Sequence, residues 1–187
     1  MANRNTQGFG LVPAGTLGQT PATSGTGKYK IDAGYGTTIF HGGAVSSTAG
    51  YIVEGQGTAD NPMIGVLNGI FYNAATTLKP TFSNHYVQVT PANSEDIDAF
   101  VFDNPQQQYV VATDAAVAQA GYLETYDMNA SAGSTTTGKS SSTLDIGDTS
   151  ADAAAFRLLR SAEDPENDEN AAFRSVVVCL NLIELQS

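Results

Sequence analysis

Across 187 residues the chain carries 19 acidic and 8 basic side chains, a formal net charge of −11, and a field of that sign repels nucleic acid and anionic membrane surfaces. Leucine, isoleucine, valine and phenylalanine total 40 of the 187 residues. That is enough for the core of one domain, but close to the level at which acidic chains stay disordered.

Residues 1–27 contain Pro13, Gly15, Gly18, Pro21, Gly25 and Gly27, a spacing that disallows a helix or a long strand. Their large apolar side chains are few, so the segment cannot order itself by burying its own surface. It is expected to be an extended N-terminal arm. Phe9, Leu11, Val12 and Leu17 are its candidate contact residues toward another subunit or a larger assembly. No apolar stretch of signal-peptide type opens the chain, and no run reaches membrane-spanning length. The expectation is a protein made and kept in a reducing compartment, with no membrane partner.

From Lys28 onward a single β-rich body is expected, residues 28–187. Segments 28–32, 37–40 and 50–54 are short strand candidates separated by glycines. Segment 63–72 reads as a buried strand whose glycines suggest bulges or sharp bending. Segment 85–90 alternates as a half-buried strand. Segments 99–103 and 107–113 flank Asp103-Asn104-Pro105-Gln106 and read as a hairpin. Segment 114–120 is expected to be one short helix, capped by Thr113 or Asp114 and ended near Gly121. Segments 122–128 and 142–146 should pair with each other. Segments 156–162 and 173–182 should be the last two strands, the final one at the centre of its sheet. The fold class is mainly β, an antiparallel small β-barrel or β-sandwich with an N-terminal arm and one short helix.

Charge divides along the chain. Residues 1–93 hold three acids and four bases, and residues 94–187 hold the other 16 acids with four bases. The near-neutral half suits a packed interface and the acidic half a solvent-facing surface.

Chemistry is sparse. Residues 133–140, Gly-Ser-Thr-Thr-Thr-Gly-Lys-Ser, match the phosphate-loop pattern GxxxxGK[ST]. That loop requires a buried strand before it and a helix after it. The polar run ahead of it and Ser140-Ser141-Ser142-Thr143 behind it supply neither, so a Gly/Ser/Thr-rich turn is expected. His41 and His85 stand in different segments, with no zinc-like spacing. The acidic run 163–170 lacks the alternating ligands and central glycine of a calcium loop, and a solvated loop is expected there. Cys179, the single cysteine, lies in the run Val176-Val177-Val178-Cys179-Leu180 and reads as a buried structural thiol. Arg157, Arg160 and Arg174 flank the acidic run. Neither a catalytic residue, nor a cofactor, nor a metal site is assigned.

Several segments together carry a resemblance: Gln7-Gly8-Phe9-Gly10-Leu11-Val12-Pro13, Ile64-Gly65-Val66-Leu67-Asn68-Gly69-Ile70, Ser134-Thr135-Thr136-Thr137-Gly138-Lys139-Ser140, and the ending Phe156-Arg157-Leu158-Leu159-Arg160, Asp164-Pro165-Glu166-Asn167 and Val176-Val177-Val178. In this order the chain resembles the capsid cement or decoration proteins of tailed bacteriophages. The resemblance implies a non-enzymatic protein made in the host cytoplasm and placed on the capsid exterior of the virion. It implies the major capsid protein and the chain itself, as a homotrimer, for partners. A reading of another class is a glycan-binding β-module of a phage tail or attachment protein, with Tyr35, Tyr51, Tyr72, Tyr86, Tyr109 and Tyr122 as stacking platforms.

Overall fold

Short runs of β-branched and aromatic residues, punctuated by glycine, form twelve strands among the described residues of the computed structural model, which are 3, 5–18, 25–149, 154–163, 165–168 and 170–181. The strands are β1 Val12–Thr16, β2 Gly27–Ile31, β3 Ala44–Thr48, β4 Tyr51–Glu54, β5 Gly65–Asn73, β6 Pro80–Ser83, β7 Ile97–Phe102, β8 Gln107–Ala112, β9 Thr125–Asn129, β10 Thr143–Thr149, β11 Phe156–Ser161 and β12 Ser175–Leu180. All pair antiparallel in two sheets. Sheet A runs β1-β8-β12-β11-β9-β10, and sheet B runs β2-β7-β5-β3-β4, with β6 added beside β5.

The expected mainly-β class is what the chain adopts, in the open form of two packed sheets rather than a closed barrel. Two apolar clusters organise it. One lies between the sheets. It takes Tyr109, Val111, Tyr126, Phe156, Leu158, Val176 and Val178 from sheet A, and Ala44 and Val66 from sheet B, with Met63 just before β5. The other is enclosed by the curl of sheet B itself, among Ile31, Val45, Ile52, Leu67, Ile70, Ile97 and Val101. Ile39 and Tyr86, bridged to each other, join this cluster.

The sequence expectations fare differently by segment. β9 and β10 pair as expected, β11 pairs with β12, and β12 is an interior strand of sheet A with Ser175–Cys179 all buried. The hairpin expectation is corrected. β7 and β8 are joined by the short turn around residues 103–106, yet β7 belongs to sheet B and β8 to sheet A. The turn is the crossing point between sheets, and the Tyr109 hydroxyl donates to the Phe102 carbonyl across it at 3.1 Å.

The short helix is also corrected. Segment 114–118 is irregular, followed by a 3-10 turn at Gln119–Gly121. Its polar groups bond to other elements instead of to one another: the Asp114 amide donates to the Leu144 carbonyl and the Asp114 carboxylate accepts from the Ile146 amide. The Arg174 guanidinium, itself buried, donates to the Val117 carbonyl at 3.4 Å. Segments 37–40 and 85–90 contribute only the Ile39–Tyr86 bridge, because they lid the sheet B cluster rather than extend a sheet. β3 and β6 were not anticipated.

Part of the expected arm is integral to the body. β1 is hydrogen-bonded along β8 as an edge strand. The Gly10 amide donates to the Ser142 carbonyl and the Leu11 amide to the Gly42 carbonyl. Gly10 has φ +73°, and a Cβ there would stand 2.7 Å from the Gly42 oxygen, so the chain enters the body at a point only glycine fits. Asn3, at the near end, is buried and donates to the carbonyl of Ala172 at 2.9 Å. Residues 1, 2, 4 and 19–24 of that segment lie outside the described residues.

Candidate interaction surface

The alternation of β7 builds the most distinctive surface of the molecule. Ile97, Ala99 and Val101 face the enclosed cluster, leaving Asp98, Phe100 and Phe102 on the opposite side, since successive side chains leave a strand on opposite faces. Phe102, register partner of Val66, packs against the cluster between the sheets. The rest of this face carries two rows fixed by register. Lys28 on β2 stands opposite Phe100, and Phe100 opposite Gly69 on β5. In the next row Lys30 stands opposite Asp98, Asp98 opposite Phe71, and Phe71 opposite Phe82 on β6.

Gly69 is what lets the aromatic residues meet. A Cβ at this position would lie 2.8 Å from the Phe82 ring and 2.9 Å from the Ser83 carbonyl oxygen. Without it, the Phe82 ring leans over the strand, and its centroid comes within 6.3 Å of Phe100, tilted by 39°. That lies within the range of favourable aromatic pairs. Even so packed, Phe82 is 64% exposed, and Leu78 in the turn ahead of β6 is 73% exposed. Phe71 and Phe100 are half-buried.

The cationic side of the face is equally ordered. Lys28 Nζ lies 2.7 Å from one Asp98 carboxylate oxygen and Lys30 Nζ 2.6 Å from the other. Partial burial alone would raise the Asp98 pKa, but the hydrogen bonds and charges of the two lysines outweigh it and hold the carboxyl below its ordinary value. The Lys30 ammonium is held above its ordinary value, chiefly by its hydrogen bond to Asp98. An open depression of about 280 Å³ adjoins the second row, between Lys30, Phe71, Asn73, Glu95 and Asp96. The face can offer flat apolar contact, ring faces and ammonium groups.

The residues expected to make contacts are not brought together here. Leu11 is 1% exposed and belongs to the protein's own core, which removes it as a contact residue for a partner. Phe9 is half-buried, whereas Val12 and Leu17 are 46% and 44% exposed at β1 and just beyond it. Of the tyrosine platforms, Tyr86 and Tyr109 are fully buried and cannot stack on a ligand.

The phosphate-loop match is a tight turn, with Ser134 and Lys139 bridged to each other and no helix after it. The Asn84 side chain donates to the Thr137 carbonyl at 2.9 Å and the His41 amide donates to the Gly138 carbonyl at 2.8 Å. His41 Nδ1 is bonded to the Asn68 carbonyl, while the His85 ring stacks near Phe40. Cys179 is buried, and burial raises its thiol pKa. Arg157 donates to the Leu123 carbonyl, away from the acidic run, and Arg160 is exposed. Residues 164 and 169 of that run lie outside the described residues.

The aromatic face itself was missed by sequence reasoning. A glycine inside a strong strand pattern was its signal, since such a residue marks where another group comes close. Comparisons with family models, with curated proteins and with solved structures return no match for this chain.

Proposed function

We propose that this chain is a structural virion protein, a capsid cement or decoration protein that binds the outside of a phage head shell and stabilises it. The segment resemblance supports the reading, and one observation carries it furthest. Two of the exposed apolar side chains, Val12 on β1 and Phe82 on β6, lie on open sheet surface, and the others, Leu17, Leu78, Val87 and Leu123, stand on the turns and connecting segments. Flat apolar surface of this kind serves contact with another protein better than it serves a small substrate, whose sites are concave. The contact with the major capsid protein is assigned to the β1 edge, where Val12 projects from a strand that pairs on one side only among the described residues and Leu17 projects from the turn just beyond it. Repeated at many symmetry-related positions, a weak contact of this size holds through multivalency. No catalytic step is assigned to the protein.

The test is co-sedimentation of the purified protein with head shells assembled from the accompanying major capsid protein. Wild type should bind and raise the temperature at which the shells come apart. The double variant Val12→Ser/Leu17→Ser, whose side chains already face solvent, should fold normally and lose most of its binding. Absence of wild-type binding sinks the proposal, and full binding by the double variant removes β1 from it.

A further inference from the structure

The geometry points to a second copy of this chain as the occupant of the aromatic face, in a face-to-face pair about a two-fold axis. The argument starts from the order of groups across the sheet. Lys28 and Lys30 form one margin, on β2; Phe100, Asp98, Gly69 and Phe71 form the middle, on β7 and β5; Phe82 forms the other margin, on β6. From β2 to β6 is three strand spacings, about 14 Å at ~4.7–4.9 Å each. A two-fold axis in the plane of contact, parallel to the strands and midway between β5 and β7, therefore lays the lysine margin of each copy over the Phe82 margin of the other. Ammonium groups meet ring faces, the attraction of a cation for the aromatic quadrupole, and this happens twice because an isologous contact repeats every interaction. The surface is complementary to itself by its charge pattern.

Two further features favour a copy over an unrelated partner. The chain is at −11 overall, and copies repel each other through most of their surface. This face is built mainly from the near-neutral half; its central carboxylate, Asp98, is already covered by both lysines, and Glu95 and Asp96 stand at its rim on the side of Lys30. It is thus a surface on which two copies meet with most of their acidic residues kept apart. The Phe82 ring is also held in place before any contact, seated over Gly69 and beside Phe100, so little side-chain freedom is lost on pairing. The pairing needs no shell, so its failure leaves the capsid reading standing, and failure of that reading leaves the pairing standing.

Sedimentation velocity on the full chain, without shells and over a wide concentration range, tests it. Wild type should pass from monomer to dimer as concentration rises. Phe82→Ser removes a side chain that is mostly in solvent, so the variant should keep its fold, as circular dichroism and thermal melting would report. Its dimer dissociation constant should rise at least about tenfold, as truncation of an aromatic anchor does. Lys28→Glu/Lys30→Glu should weaken pairing to a similar degree. A mixture of that charge variant with wild type should pair better than the charge variant alone.

Wild type that stays monomeric at every concentration overturns the proposal. So does a dimer indifferent to Phe82→Ser, and so does an assembly of three copies with no two-copy stage. A glycan array showing binding that is lost in Phe82→Ser, with the protein monomeric throughout, also overturns it in favour of a saccharide occupant.

Discussion

At the scale of single residues, Asp98 shows how the sheet B face is tuned. Its carboxylate bridges two ammonium groups carried two residues apart on β2, and its pKa is lowered in the fold. A lowered carboxyl contributes stability that is present above the ordinary carboxylate value and lost as pH falls through the folded value. The lysines are 60% and 51% exposed, and pairs with such exposure contribute under about 1 kcal/mol each. Asp98→Asn should therefore lower stability at neutral pH by no more than about 1–2 kcal/mol for the two pairs. It should also flatten the acid limb of stability between the unfolded carboxylate value of about 4 and lower pH. Thermal melting of both proteins across that range checks this; an acid limb of unchanged steepness in the variant would place the acid sensitivity in other carboxylates.

At the scale of elements, the fate of β1 separates stability from contact within one segment. Leu11 closes the cluster between the sheets, while Val12 and Leu17 point outward. Leu11→Ala should cost about 2–5 kcal/mol, the usual range for emptying a buried leucine site. Leu17→Ser should leave stability within about 0.5 kcal/mol of wild type, as surface changes do. Urea unfolding of the two variants decides it, and equal behaviour would mean that residues 11–17 do not fold onto β8.

The same segment marks where sequence reading reached its limit. A stretch poor in apolar residues reads as an arm when only its own surface is counted, yet one leucine and an entry point only glycine fits tie it to strands that come a hundred residues later. β12 was legible because Val176-Val177-Val178 is apolar on both faces, the pattern of an interior strand. The β9–β10 pair was legible because a polar turn separates two periodic runs. The β7–β8 connection was misread because a four-residue turn looks the same whether its strands stay in one sheet or part into two. Segment 114–120 was misread because its helical composition competes with partners on β10 and with Arg174 that only the tertiary structure supplies. The aromatic face is composed from β2, β5, β6 and β7, and its register is a property of pairing that no single segment reveals.

At the scale of the whole molecule, the question is whether two sheets with two apolar clusters behave as one unit. Among the described residues, the cluster inside sheet B draws on that sheet and its lids alone, which favours a separable half. The cluster between the sheets opposes separation, because Ala44, Met63 and Val66 reach into it from the sheet B side and Phe102 packs on it beside the crossing to β8. β3, β5 and β7 thus each present one face to the enclosed cluster and, from one end of the other face, give Ala44, Val66 or Phe102 to the cluster between the sheets, so neither cluster can open without exposing strands that the other needs. Cooperativity follows from shared strands rather than from a single core. Urea unfolding followed by tyrosine fluorescence and by far-ultraviolet circular dichroism should give coincident transitions, the mark of two-state behaviour. Met63→Ala should cost about 2–5 kcal/mol and shift both probes together, although Met63 lies outside both sheets. If the variant splits the curve, with one probe moving and the other staying, then the two sheets fold as separate units, and the cluster between them is an interface rather than a core.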